Sequence, residues 1–174
     1  MQNAHIPRDE IQDPPGKRYW PVYVGRDPER TPMQWDAGPN AGFTTGRPWL
    51  RVHPDSPRRN VAAQTADPAS VLSFYQALLR LRRQAPALRA GAFQPLVRRP
   101  VEAMAYLRVA PAQTMLVVLN FFGWETTLKL TTPAPAGTWP VRLSTVPGRP
   151  GHTSGSRLTL APFEATIFEL VPPG

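Results

Sequence analysis

Gly25 to Leu50 reads GRDPERTPMQWDAGPNAGFTTGRPWL, and the identity of this stretch decides what the rest of the chain belongs to. Four prolines and four glycines interrupt it. Proline removes a backbone donor and glycine opens positive φ, so neither a helix nor a central strand runs through it. It is a long loop with unusual side chains: Arg26, Arg30 and Arg47 stand beside Trp35, Phe43 and Trp49, with Asp27, Gln34, Asp36 and Asn40 between them. Indole faces stack on the apolar faces of sugar rings, guanidinium forks bind hydroxyls or carboxylates, and amides complete that polar chemistry. The composition is equally compatible with an irregular loop whose aromatics only pin it to a core. Asp27, Asp36 and Asn40 read as acceptors that brace the loop's turns.

The order of the residues says more than their composition. Arg-Thr-Pro-Met-Gln-Trp-Asp at Arg30 to Asp36 follows Gly-Arg-Asp-Pro at Gly25 to Pro28 and precedes Asn-Ala-Gly-Phe at Asn40 to Phe43 and Pro-Trp-Leu at Pro48 to Leu50. This pattern resembles the α-glucosidase and oligo-1,6-glucosidase branch of the α-amylase family of glycoside hydrolases. In that family the loop follows the eighth strand of a (β/α)8 barrel and lies at the mouth of the active site, where barrel enzymes keep their catalytic loops. The resemblance implies that Arg26, Arg30, Gln34 and Trp35 help shape the aglycone side of the substrate site. Ile6-Pro7-Arg8, Asp13-Pro14 and Lys17 to Pro21 are similar to the family's lead-in to the loop.

A chain of 174 residues with 41% apolar residues holds an ordinary core, but a complete barrel alone takes about 250 residues. The resemblance therefore implies a C-terminal fragment that starts just past the last barrel strand, with Met1 an internal methionine of a longer reading frame. There is no cysteine, which excludes disulfides and thiolate metal sites. No apolar run of about 18 residues exists and no signal-peptide core opens the chain, so the expectation is a cytoplasmic protein with no membrane partner. The net charge of +8 comes from eighteen Arg and two Lys spread along the sequence. That spread, beside 23 prolines, fits a compositional bias better than a phosphate-tracking stripe, and nucleic acid is not an expected partner.

Along the chain, Met1 to Ala66 is expected to be coil with little regular structure, including a turn at Asp13-Pro14-Pro15-Gly16. Asp67 and Pro68 announce a helix over about 68–84. Val71, Leu72, Phe74, Tyr75, Leu78, Leu79 and Leu81 give it a broad apolar face that needs covering, and Pro86 ends it. After Gly91 the period changes to two. Strands are expected at 92–97, 103–109, 115–122, 125–130, 141–144, 157–160 and 165–170. The run Met115-Leu116-Val117-Val118-Leu119 is expected to be the buried central strand, Leu116, Val118 and Tyr106 to be the most deeply buried, and Arg98, Arg99 and Arg149 to be exposed. The fold class is thus mainly β: residues 1–90 as the tail of a (β/α)8 barrel, and residues 91–174 as a C-terminal antiparallel β-sandwich. Trp124, Trp139 and Phe163 are expected to plug its core, with a sugar-binding groove as the alternative.

Catalysis in a retaining glycosidase needs a carboxylate nucleophile and a carboxylic acid about 5 to 5.5 Å apart. None of the twelve acids falls in the family's nucleophile, acid or stabiliser motifs, so no catalytic residue is assigned. His5, His53 and His152 lack ligand spacing, and no metal or cofactor is expected. The resemblance implies hydrolysis of terminal α-glucosidic bonds in oligosaccharides once the missing barrel portion is supplied, and an inactive chain without it. A trehalose synthase or sucrose isomerase relative, and a non-catalytic carbohydrate-binding or structural β-module, stay open as alternatives.

Overall fold

The computed structural model describes residues 3–97, 103–130, 134–153 and 156–173. The chain divides into two compact units, Met1–Phe74 and Tyr75–Gly174. No helix among the described residues is long and apolar enough to cross a membrane.

The first unit is held by polar pins more than by a core. Its buried apolar cluster is small, Ala4, Ile6 and Ile11 with Trp20 against them. Two short helices, α1 (Pro14–Tyr19) and α2 (Val61–Ala66), and a few tight turns are its regular structure besides the start of α3 (Val71–Gln84). Asp13-Pro14-Pro15-Gly16, expected as a turn, is instead the N-terminus of α1: Pro14 and Pro15 occupy the positions whose amides a helix leaves unpaired anyway. The expected coil before residue 66 also hides α2, which Asn60 caps by accepting the Ala63 amide at 2.8 Å. No strand and no second long helix lies in this region among the described residues.

Helix α3 begins at Val71, not Pro68. Asp67 turns the chain by accepting the Ala69 amide, and Ser70 takes the capping position by accepting the Ser73 amide at 3.1 Å. Its apolar residues divide: Leu81 is buried, while Val71, Tyr75 and Leu79, spaced four apart, are exposed. Pro86 stops α3 and starts α4 (Pro86–Ala90).

The second unit is the expected antiparallel sandwich. Strands β1 (Ala92–Pro95), β2 (Ala103–Ala110), β3 (Gln113–Asn120), β4 (Thr126–Lys129), β5 (Thr138–Trp139), β6 (Val141–Ser144), β7 (His152–Thr153), β8 (Arg157–Leu160) and β9 (Ala165–Glu169) follow α4. A five-stranded sheet runs β1-β2-β3-β9-β6, and the ribbons β4-β8 and β5-β7 supply strands beyond it. The short β5 and β7 lie outside the seven expected strands, at positions too brief for any periodicity to register.

β3 is the middle strand and is buried on both faces, which is why its sequence is a continuous apolar run. Leu116 and Val118 share one core cluster with Leu107 and Phe168 on the neighbouring strands and with Trp139, Leu128, Leu158 and Leu160. Met115 and Val117 face Leu81, Ala85, Ala87 and Ile167. Tyr106 is only half-buried, contrary to expectation: strand parity turns it away from Ala105 and Leu107, to a place beside Phe93 with ring centroids 4.9 Å apart. Arg149 is also not exposed, because it reaches inward to Glu164. Arg98 and Arg99 lie outside the described residues. Of the three aromatics expected in the core, only Trp139 is there.

Candidate functional site

The loop of residues 25–50 is built on reciprocal carboxylate contacts. Asp27, 2% exposed, accepts the amides of Gln12 and Asp13 at 2.5 and 3.0 Å, and Asp13 in turn accepts the Arg26 amide at 2.9 Å. Gly25, at φ 79°, passes so near Asp13 that an added Cβ would lie 2.8 Å from its carboxylate oxygen. The clamp fixes the backbone of Arg26 while leaving its side chain mostly in solvent, with Nε 3.7 Å from Asp13.

Beyond it the chain folds back on itself. Asn40 and Ala41 both adopt left-handed backbone, φ 52° and 55°, and the Ala41 carbonyl receives the amides of Trp35 and Asp36 at 2.8 and 3.2 Å. Asp36 accepts the Gly38 amide, as expected of a bracing residue. Asn40 also braces, but as a donor: its Nδ2 reaches the carbonyls of Thr44 and Gly46. The carbonyls of Gln34 and Trp35 meanwhile satisfy the first amides of α2, at Val61 and Ala62, each at 3.0 Å.

Neighbouring side chains in this segment point opposite ways. Gln34 is 4% exposed and donates Nε2 to Asp55 Oδ1 at 2.8 Å. Trp35 is 50% exposed, and Met33, Phe43 and Trp49 are exposed as well. Arg30 is exposed at the end of the Asp27–Glu29 turn. The geometry thus brings Arg26, Arg30 and Trp35 to the surface of the loop and commits Gln34 to its interior.

Asp55 is the anchor that sequence reading missed. Besides Gln34 it meets His53 Nδ1 at 2.5 Å and lies 3.9 Å from Arg59. Burial works against its ionisation, but the hydrogen bonds from Gln34 and His53 and the charges of His53 and Arg59 outweigh it, so the carboxyl titrates below its ordinary value. The Asp55 amide meets the same His53 nitrogen at 3.1 Å, which closes the turn between the two residues. In the sequence this pair sits in an aperiodic stretch, so only the Pro54 between them gave a hint of a turn. No cluster of His, Cys, Asp or Glu able to hold a metal ion occurs among the described residues.

Comparison with known proteins gives this loop a context. The family described as Alpha amylase, catalytic domain, matches residues 1–91. The oligo-1,6-glucosidase of Halalkalibacterium halodurans is 43% identical over 99 residues, 57% of this chain and 18% of that enzyme. The oligo-1,6-glucosidase of Heyndrickxia coagulans is 32% identical over 170 residues, 98% of this chain and 28% of that enzyme. Among solved structures, isomaltulose synthase from Klebsiella sp. LX3 superposes with a TM-score of 0.79 at 30% identity, over 97% of this chain and 33% of the other. Trehalulose synthase MutB from Pseudomonas mesoacidophila MX-45 also gives 0.79, at 28% identity over 97% and 33%. The chain spans a third or less of the length of each of these relatives.

Proposed function

Because the chain belongs to the α-amylase family, we propose that it is the C-terminal part of an α-glucosidase-like enzyme that hydrolyses terminal α-glucosidic bonds in oligosaccharides with retention. The observation that carries this reading is the outward display of Arg26, Arg30 and Trp35 on a loop whose backbone is fastened at Asp13, Asp27 and Asn40. A preorganised loop presents an indole face and guanidinium forks to a sugar without first having to be ordered. In this reading Gln34 acts from behind, holding the backbone under Trp35 through Asp55. The nucleophile and acid come from the barrel portion, and this chain alone turns nothing over. The whole enzyme works in the cytoplasm.

Sucrose isomerisation is the second reading, favoured by the solved structures that superpose on the chain. The higher sequence identity to an oligo-1,6-glucosidase favours hydrolysis. A chimera separates the two: residues 1–174 replace the matched 170-residue region of the Heyndrickxia coagulans enzyme. The expected result is isomaltose hydrolysis that Arg30→Ala weakens while leaving covalent labelling of the nucleophile intact. Conversion of sucrose to isomaltulose by the chimera would favour the second reading. Hydrolysis of p-nitrophenyl α-glucoside by the purified 174-residue chain would overturn the division of labour between barrel and loop.

A further inference from the structure

The β-sandwich carries a second aromatic surface that the loop around Trp35 does not account for. Phe121, Trp124 and Phe163 are 51%, 56% and 66% exposed. Exposed aromatics scattered singly are ordinary. These three belong to two connections, residues 121–125 and 161–164, that are fastened to one another. The Phe163 amide donates to the Phe122 carbonyl at 2.9 Å. Asn120, 4% exposed, sends Nδ2 to the carbonyls of Trp124 and Ala161, both at 2.8 Å, and accepts the Phe122 amide on Oδ1. A single buried amide thereby fixes both connections.

The rings themselves converge on Gly123. Phe122 and Trp124 stand with centroids 4.4 Å apart, and the Phe163 ring lies so close over Gly123 that an added Cβ would meet it at 3.2 Å. Phe163 holds left-handed backbone at φ 51°, a conformation that a side chain with a Cβ adopts only where the surroundings enforce it. Glu164 enforces it from the next position, passing its carbonyl to the Asn120 amide at 2.7 Å and holding the Ala161 amide on its carboxylate. The display is therefore set before any ligand arrives, which lowers the ordering cost of binding.

We propose that this surface is a second carbohydrate contact, on which an α-glucosidic oligosaccharide stacks against Trp124 and Phe163. The C–H face of a pyranose carries partial positive charge and suits the negative face of an aromatic ring. Polar groups for the sugar hydroxyls adjoin the rings along the chain: exposed Glu125 follows Trp124, and the hydroxyls of Thr127 and Thr159 face each other at 3.0 Å on β4, which follows the first connection, and β8, which precedes the second. No Leu, Ile, Val or Met occurs in either connection, so the rings stand among polar and small residues, as a sugar whose hydroxyls alternate with C–H faces requires. The identity of the sugar rests on the glucosidic reading above, but the surface lies on residues that reading does not use.

The test is a titration of the 174-residue chain with isomaltotriose, followed by NMR at the indole N–H signals of its five tryptophans. The signal of Trp124, assigned by its loss in Trp124→Phe, is expected to shift saturably, while that of Trp139, buried with Nε1 bonded to the Pro135 carbonyl, stays put. Measured by calorimetry, Trp124→Ala is expected to weaken isomaltotriose binding about tenfold with the melting temperature unchanged, and Trp124→Phe to retain most of it. Trp35→Ala is expected to leave the Trp124 shift intact. Shifts confined to Trp35 and Trp49 would overturn the second surface while supporting the loop. A Trp124 shift without response at Trp35 or Trp49 would support the second surface and count against the loop. A Trp124 signal that moves with protein concentration and not with sugar would assign the patch to a second copy of the chain, and no shift at any indole would overturn the proposal outright.

Discussion

The carboxylate of Glu164, 1% exposed, is held by Nε of Arg149 at 2.6 Å, and the two seal the end of the sandwich together. Arg149 also donates to the Thr159 carbonyl and lies over the Phe168 ring, while Glu164 accepts from Thr166 and the Ala161 amide. Breaking a buried pair from one side strands a charge. Arg149→Met is therefore expected to cost about 3 kcal/mol or more, and the paired change Arg149→Met with Glu164→Gln to recover part of that loss. Urea unfolding of the single and double variants measures the coupling.

Val118 is fully buried in the middle of the sheet. Replacing it with Asp places a carboxylate where no donor waits, and a loss of several kcal/mol is expected. Thermal melting checks it, and an unchanged midpoint would contradict the central place of β3.

Gln34 and Trp35 are adjacent but face opposite ways, so their substitutions are expected to separate. Gln34→Ala takes away the amide that Asp55 accepts from and is expected to cost about 1 to 3 kcal/mol. Trp35→Ala removes a ring that is half in water and is expected to cost about 1 kcal/mol or less, while reducing oligosaccharide use in the chimera. Melting curves beside sugar kinetics distinguish the inward brace from the outward contact.

His152 offers a pH test. Burial, then the charge of Arg149, lower its pKa below the ordinary 6.5, and its Nε2 is buried without a hydrogen-bond partner. The unfolded chain thus takes up this proton at a higher pH than the folded one does. Stability is expected to fall as pH drops below about 6.5 and to level off below the folded pKa. Asp55, lowered from 3.8, adds its own loss only in a separate and more acidic window. Comparing melting temperatures from about pH 8 to about pH 5 in the native chain and in His152→Phe isolates the histidine. Equal slopes would exclude it.

Much of the sandwich was legible because two patterns speak loudly: the apolar run at β3 and the alternation in β2. The hairpin turn at Pro111-Ala112 falls between Ala110 and Gln113, which pair across it, as a two-residue loop requires. Tyr106 and Arg149 were misjudged for a common reason. Residue type suggests a preference for burial, but strand parity and a distant partner decide it, and neither is local. In the loop, the motifs at Gly25 to Asp36 marked the segment, and turn chemistry foretold the bracing by Asp27 and Asp36, yet nothing there distinguished Gln34 from Trp35. That distinction depends on Asp55, 21 residues away from Gln34.

Among the described residues β9 is the last strand in chain order, yet it lies inside the sheet, between β3 and β6. As the polypeptide emerges from the ribosome, the β2-β3 hairpin can close at once, but β3 and β6 each keep a bare edge until Ala165–Glu169 arrives. The five-stranded sheet is thus completed only after its other four strands have been synthesised, and a nascent chain that stalls before β9 exposes two pairing templates at once.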